Sequence, residues 1–385
     1  MRVNGINIMQ LFHQTNVPVN QNLLYKSAED AKKALTGELD IHYNEDTGFI
    51  YNNAFNVDLV NYSEEYNNDR HYSPFFESYV DEQIEWCIKK YLHKTSTIIE
   101  IGCGKGYFIK KIAERLPSSK AYGFDTSYIQ GIEENPPNLH IFKEYYNENY
   151  VYLQPNAVIC RHVIEHIHKP ADFLSTIRAS MPENALLFLE TPDVNWILKN
   201  DVIFDFFYEH CSYFNVSSLE NMLHTSGFEP IESMHTFNGQ YMWVVSRAAN
   251  KNAIEKQSKN EGISELCQKF INNRKENINK ISATMQALAQ KENAIFIWGA
   301  GAKGVTFVNL FDQQQKYISA LIDINPAKQG RYVGVTSHEV ISPDKMRIKY
   351  NTSQIIILNN NYFKEIEKHL MNLDIYNRTQ LYTIT

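Results

Sequence analysis

Between residues 81 and 248, short apolar runs alternate with stretches whose apolar residues fall at helical spacing. The runs are TIIEI, KAYGF, NLHIF, AVICRHV and ALLFLE, followed by EPIESMH and YMWVVS. Runs this short, rich in β-branched and aromatic residues, predict buried strands. Strands separated by helices predict a mostly parallel, doubly wound α/β sheet, here closed by a hairpin that supplies an antiparallel edge strand. From residue 263 to 290 the apolar residues Ile263, Leu266, Phe270, Ile278, Ile281, Met285 and Leu288 predict one helix. Residues 292–385 start again with a strand, a glycine turn and a helix, which predicts a second, similar α/β lobe. Residues 1–80 are rich in Asn and Tyr and hold short strand-like pieces with no sustained period. The chain therefore divides into a small N-terminal lobe (1–80), a first α/β domain (81–248), a polar linker and helix (249–291) and a C-terminal α/β lobe (292–385).

Composition narrows the function classes. Of 385 residues, 43% are hydrophobic and 13% aromatic, which suits a folded protein. Net charge is −7 with no basic block, which argues against nucleic acid and anionic membrane as partners. Cys87, Cys103, Cys160, Cys211 and Cys267 are odd in number, far apart and form no C-x-x-C, a pattern of reduced thiols. Cys103 and Cys160 read as small packing residues. No basic segment leads into an apolar run at the N-terminus, and no run approaches membrane-spanning length, so a cytoplasmic location is expected.

The chemistry concentrates at two glycine turns. The first, IIEIGCGKG, places Glu100 at a strand end and Gly102, Gly104 and Gly106 at alternate positions before the helical KGYFIKKIAERL. Asp125 closes the next strand, where a carboxylate can accept from two ribose hydroxyls. Such a pair resembles motifs I and II of class I S-adenosylmethionine (SAM) methyltransferases. A dinucleotide fold uses a similar turn and acid but prefers G-x-G-x-x-G, with a helix N-terminus facing pyrophosphate. The second turn, IFIWGAGAKG, does carry G-x-G-x-x-G at Gly299, Gly301 and Gly304, with Asp323 ending the following strand. By itself it suggests NAD, and an oxidoreductase or binding protein is the alternative from another class; a glycine turn kept for helix–sheet packing is the plain structural reading.

From the second turn onward the chain reads ALIDINPAKQGRYVGVTSHEVISP and IIILNNNYFKEI. These stretches resemble the C-terminal domain of sugar C-methyltransferases, enzymes acting on nucleotide-linked keto-deoxysugars. RHVIEHI (161–167) and YEHCSYFN (208–215) resemble the family's middle domain, the second being its E-H-x-S-Y-F active-site segment. The resemblance implies a Rossmann-like class I methyltransferase sheet, a second Rossmann-like lobe, SAM as cofactor with S-adenosylhomocysteine as product, and a small-molecule acceptor, a nucleotide sugar of natural-product or polysaccharide biosynthesis. It implies a monomer or homodimer. For SAM it implies Glu100, Gly102, Gly104, Gly106 and Tyr107 around the methionine part, Asp125 at the ribose, Tyr128, Glu144 and Tyr145 near the adenine, and Arg161 and His162 near the sulfonium.

In that family a histidine is proposed as the base that removes a carbon-bound proton, and His210 is its match, with Glu209 beside it. Tyr66 and Tyr72, in NYSEEYNNDRHYSPFF, match a tyrosine-rich active-site edge. Three departures stand out. The family's zinc module needs two C-x-x-C pairs, but Asn44 and Thr47 occupy cysteine positions, and His42 and His71 lack companions, so no structural zinc is expected. The family's Y-H-E-H becomes Phe207-Tyr208-Glu209-His210, which displaces or removes the hydroxyl that would assist the enolate; Tyr208 is kept as a catalytic candidate. FNGQYMWVV stands where a G-G-S-x-R stretch is usual, leaving Lys303, Asn325 or Lys328 as substitutes for substrate contact. These departures keep O- or N-methylation of another metabolite open, with a non-catalytic SAM sensor as a further option. His162, His166 and His168 lack suitably spaced carboxylates, so no metal is expected.

Overall fold

A computed structural model of the chain describes residues 2–3, 6–60, 66, 68–129, 134–249, 262–291 and 293–384. Most of the expected linker, 250–261, and parts of the tyrosine-rich stretch, 61–65 and 67, lie outside the described residues.

All seven strands anticipated between 81 and 248 form one sheet. Its order is Phe228–Thr236, Tyr241–Ala248, Leu186–Pro192, Ala157–Arg161, Thr97–Ile101, Lys120–Phe124, Leu139–Phe142. The last five pair in parallel. Tyr241–Ala248 runs antiparallel to both its neighbours, so the reversed strand lies one place in from the edge, and Phe228–Thr236 forms the edge itself. Helices cover both faces, which explains why the central strands read as unbroken apolar runs. Ile98, Ile159 and Phe188 meet Phe108, Ile112 and Trp243 on one face; Ile99, Val158 and Leu187 meet Leu174, Ile177 and Leu219 on the other.

Helix Pro74–Lys90 runs across residue 80, where the sequence set the edge of the N-terminal lobe. Ser73 caps it by accepting from Phe76 N, Pro74 opens it, and its Phe76, Val80 and Ile84 join the methyltransferase-type sheet.

The N-terminal lobe is a regular antiparallel sheet, with order Arg2–Val3, Ile6–Pro18, Thr36–Asn44, Phe49–Asn52, Ser212–Tyr213. Its long strand Ile6–Pro18 showed no sustained period because the register shifts between Gln10 and Phe12 and between Gln14 and Val17. Each irregularity resets the inward alternation. Where cysteines would hold zinc in the resembling family, Asn44 instead accepts from the amides of Asp46 (3.0 Å) and Thr47 (3.2 Å), a side-chain-closed turn.

Helix Ile263–Ala289 forms as the periodicity predicted, burying Ile263, Phe270, Ile281, Met285 and Leu288. The C-terminal lobe is an all-parallel sheet in the order Val340–Ile341, Ile318–Ile322, Ala294–Trp298, Ser353–Ile357, Thr379–Thr383. Among the described residues no helix is long and apolar enough to cross a membrane.

Candidate active site

The first glycine turn bends by left-handed backbone at Gly102 (φ 70°), Gly104 (φ 56°) and Gly106 (φ 81°). Two of these glycines also avoid a collision. A Cβ on Gly102 would stand 2.2 Å from Val163 Cγ2, and one on Gly106 2.4 Å from Ile141 Cδ1. Gly104 is different: nothing lies within 4 Å of where its Cβ would be, so the turn borders open space. Asp125 fixes that border. Its Oδ2 accepts from Gly104 N (2.7 Å) and its Oδ1 from Ser127 N (2.7 Å) and Ser127 Oγ (2.6 Å). An open glycine cradle beside a strand-end carboxylate fits the methionine and ribose parts of SAM.

The other SAM candidates divide. Glu100 is buried behind the turn and accepts from Ile109 N (3.0 Å), capping a helix whose N-cap is a glycine. Burial pushes its carboxyl up to about 7 against the pull of Arg161. Arg161 is a core residue: Nε donates to Glu190 Oε2 (2.6 Å) and the guanidinium lies 4.0 Å from the Phe108 ring centroid. Glu100 thus braces the helix that follows the turn, and Arg161 is held by Glu190 and Phe108. Tyr107 donates to Glu77, and Tyr128 accepts from Asn135 Nδ2 (3.1 Å). Glu144 accepts from the Tyr150 hydroxyl, and Tyr145 stands 74% exposed to solvent. His162 alone of the group also lines the large cleft.

That cleft is a cavity of about 260 Å³ where the three lobes meet. The N-terminal segment contributes Asn22, Tyr66, Arg70 and Tyr72; the first α/β domain His162, Glu165, His166, Phe207, Glu209 and His210; the C-terminal lobe Gly299, Gly301, Lys303, Asp323, Asn325 and Lys328. The bridging strand Ser212–Tyr213 explains the placement of Glu209 and His210. It pairs with Phe49–Asn52, so the residues just before it pass between two lobes.

His210 faces the cavity with its ring edge-on to His166 (4.7 Å between centroids) and Phe207 (4.9 Å). Burial, with His166, His162 and Arg70 nearby, holds it well below the usual histidine range, so it is neutral at physiological pH. Burial takes His166 to about 4, and does the same to His162. Glu209 accepts from Gln21 N (2.9 Å), Asn20 Nδ2 (3.1 Å) and the Tyr66 hydroxyl, and burial raises it to about 7. Tyr66 also accepts from Asn22 Nδ2 (3.2 Å), and Tyr72 stacks on His71 (4.3 Å). Tyr208 requires correction. It turns away from the cleft, accepts from Asn56 N (2.9 Å), and presses its ring so close to Gly37 that a Cβ there would lie 2.2 Å away. The chain turns here, with His210 N donating to Phe207 O (3.2 Å), so Glu209 and His210 line the cavity while Tyr208 does not.

The second turn repeats the first in its main bonds. Gly299 N donates to Ile322 O (2.7 Å) as Gly102 N does to Phe124 O (2.8 Å). Asp323 accepts from Ala300 N (2.8 Å) and Asn325 N (2.9 Å). Lys303 Nζ sits 2.7 Å from Asp205, and Lys328 donates to Ala300 O (3.2 Å), 3.9 Å from Asp323. Two features were not read from the sequence: Arg70 enters the cleft from the tyrosine-rich stretch in which only Tyr66 and Tyr72 were singled out, and Glu165, His166 and His210, far apart in the chain, bring their ligand-type atoms within 4.8 Å of one another. His168, by contrast, stacks on Phe55.

Residues 70–233 match the family model of a methyltransferase domain, and residues 244–378 that of the C-methyltransferase C-terminal domain. No curated protein matches the chain. Similar solved structures include a methyltransferase of calicheamicin biosynthesis in its S-adenosylhomocysteine-bound form (12% identity, 44% of this chain and 54% of that one, TM-score 0.36). They also include the magnesium protoporphyrin IX methyltransferase of Synechocystis PCC 6803 (15%, 46% and 84%, 0.34). A third is a cyclopropane synthase of Mycobacterium tuberculosis (15%, 41% and 64%, 0.35). With the two domains matched in tandem along one chain, the protein is a SAM-dependent methyltransferase of the C-methyltransferase family.

Proposed function

We propose that the protein methylates a carbon beside the ketone of a nucleotide-linked keto-deoxysugar, with His210 as the base. The observation that carries this reading is the position of His210: a neutral imidazole in a cavity that the C-terminal glycine turn also lines. Gly102, Gly104, Gly106 and Asp125 would hold SAM, and SAM bound there supplies a methyl group on a sulfonium. The chain's own work is to bind and orient the acceptor, to keep water out and to accept a proton. His210 is unprotonated at neutral pH, so its free nitrogen can accept one from carbon. Glu209, tied to the N-terminal lobe by three donors, fixes the segment that carries His210. Lys303 and Lys328, beside the second glycine turn, border the part of the cavity suited to the nucleotide end of the acceptor.

Calorimetric titration with S-adenosylhomocysteine, then with a dTDP-linked 4-keto-6-deoxysugar, tests the proposal. Both are expected to bind saturably. Asp125→Ala should weaken the first by about 10- to 100-fold, the loss of a charge-assisted hydrogen bond of about 1.5–3 kcal/mol. His210→Asn should leave it unchanged and lower methyl transfer by about 100-fold or more. Binding of S-adenosylhomocysteine without the keto sugar would redirect the search to O- or N-acceptors, and a fully active His210→Asn would remove this base.

A further inference from the structure

We propose that Arg70 is the oxyanion clamp of the acceptor site, the cation that holds the ketone oxygen while the adjacent carbon–hydrogen bond breaks. The inference rests on the reading above and adds a residue and a subsite to it.

Three permanently cationic side chains line the cleft, and two are already matched to carboxylates. Lys303 lies 2.7 Å from Asp205, and Lys328 is 3.9 Å from Asp323 with a bond to Ala300 O. Arg70 has no carboxylate ion pair among the described residues. Its Nη1 donates to the neutral hydroxyl of Tyr241 (2.7 Å), and its guanidinium carbon stands 4.2 Å over the Phe76 ring. A guanidinium has five donors, so a single bond leaves most of its fork open. The aromatic face holds the plane without neutralising the charge. The carboxylate that Arg70 feels electrostatically, Glu190, is bonded to Arg161 (2.6 Å), so the Arg70 fork stays available to an anion that arrives or forms in the cavity.

The anion can be named from the residues that face it. Arg70 lines the same cavity as His210 and His162 and acts electrostatically on both. A neutral imidazole whose protonation is so disfavoured is a weak base, and a proton on carbon beside a ketone is a weak acid. Their transfer requires strong stabilisation of the charge that forms. In this step His210 takes the proton, the electron pair of the broken bond closes a carbon–carbon double bond, and the carbonyl π pair moves onto oxygen. That oxygen then accepts from the Arg70 guanidinium. The hydroxyl that the Y-H-E-H pattern would bring to this oxygen is missing from the cavity. Phe207 has none, and Tyr208 bonds Asn56 on the far side. Arg70 comes instead from the N-terminal segment, which lines the same cavity.

The test separates proton removal from methyl transfer. A dTDP-linked 4-keto-6-deoxysugar is incubated with enzyme and S-adenosylhomocysteine in deuterium oxide, and mass spectrometry reads deuterium entering carbon. Arg70→Met should slow exchange by about 100-fold or more, the scale of one lost oxyanion donor. Arg70→Lys, which keeps the charge but loses the fork, should fall between. Both should keep the wild-type affinity for S-adenosylhomocysteine. Exchange in Arg70→Met within a few-fold of wild type overturns the proposal, and so does an Arg70→Lys variant that binds S-adenosylhomocysteine normally yet exchanges no faster than Arg70→Met. If the wild-type protein binds S-adenosylhomocysteine but exchanges nothing, the keto-sugar reading has failed. Calorimetry with oxalate, a planar dianion like an enolate, then decides about Arg70 alone. Oxalate binding lost in Arg70→Met upholds the clamp, and a wild-type protein indifferent to oxalate sinks it.

Discussion

His162 and His166 show how burial at the cleft reaches the stability of the fold. Each ordinarily takes a proton near 6.5, but burial holds both to about 4. Between those values the unfolded chain binds protons that the folded chain refuses, so their contribution is full above 6.5 and lost as pH falls toward 4. His210, also lowered, acts in the same direction. Glu100 and Glu209 act oppositely: raised from 4.5 to about 7, each contributes fully below 4.5 and loses that contribution as pH rises through 7. Toward acid the lowered histidines, His369 among them, pull stability down against the opposite pull of Glu100, Glu209 and the likewise raised Asp193 and Asp205. At about 1.4 kcal/mol per pH unit, His162 and His166 can each account for up to about 3 kcal/mol on the acid side. Between about pH 6.5 and 4, the thermal midpoint of His166→Gln should fall less toward acid than that of the wild type. An equally steep acid limb in the variant would mean that His166 protonates freely in the folded state.

The two glycine turns are one device used twice, and their glycines serve different ends. Gly104 has left-handed backbone and empty space before it, whereas a Cβ on Gly304 would stand 2.0 Å from Gly299 O. Gly104→Ala should therefore cost about 1–2 kcal/mol of backbone strain and, more tellingly, weaken S-adenosylhomocysteine binding, because its methyl enters the space the ligand needs. Gly304→Ala should lower the thermal midpoint further while S-adenosylhomocysteine affinity in the folded fraction stays put. Wild-type affinity in Gly104→Ala would show that this turn does not border the cofactor. At this scale much of the fold was legible in the chain. Buried parallel strands must be continuously apolar, so TIIEI, AVICRHV and ALLFLE announce themselves. The strand Ile6–Pro18 did not, because its two register shifts put Leu11 and Phe12 both inside. The site was legible only in part. His210 and Glu209 could be read from a local motif, but the direction of Tyr208 depended on Gly37 and Asn56, far away in the chain, and Arg70 sits between Tyr66 and Tyr72 in a stretch whose tyrosines alone carried a pattern.

Tandem domain matches suggest beads on a string, but the packing joins the lobes. One apolar cluster runs from Leu11, Leu39 and Ile50 of the N-terminal sheet through Phe204, Phe206 and Tyr208 to Phe270 and Ile281 of the long helix and Val305, Phe307 and Ile356 of the C-terminal lobe. Strand Leu24–Tyr25 pairs with Tyr332–Val333, tying the first lobe to the last. Polar ties follow the same lines. Ser73 Oγ (2.7 Å) and Phe75 N (2.9 Å) donate to Glu365, Asn361 Nδ2 donates to Phe237 O (3.1 Å), and Lys303 pairs with Asp205. The cleft is thus a seam between parts that share a core, which keeps the distance between His210 and the second glycine turn from drifting as separate domains would allow. Shared burial of this kind couples unfolding, since no lobe can melt without exposing the apolar surface of its neighbours. Scanning calorimetry should therefore give one transition, and S-adenosylhomocysteine at about 100 times its dissociation constant should shift all of it by about 2.7 kcal/mol. Two peaks, with only one moved by the ligand, would mean that the seam is weak and that the lobes fold as independent units.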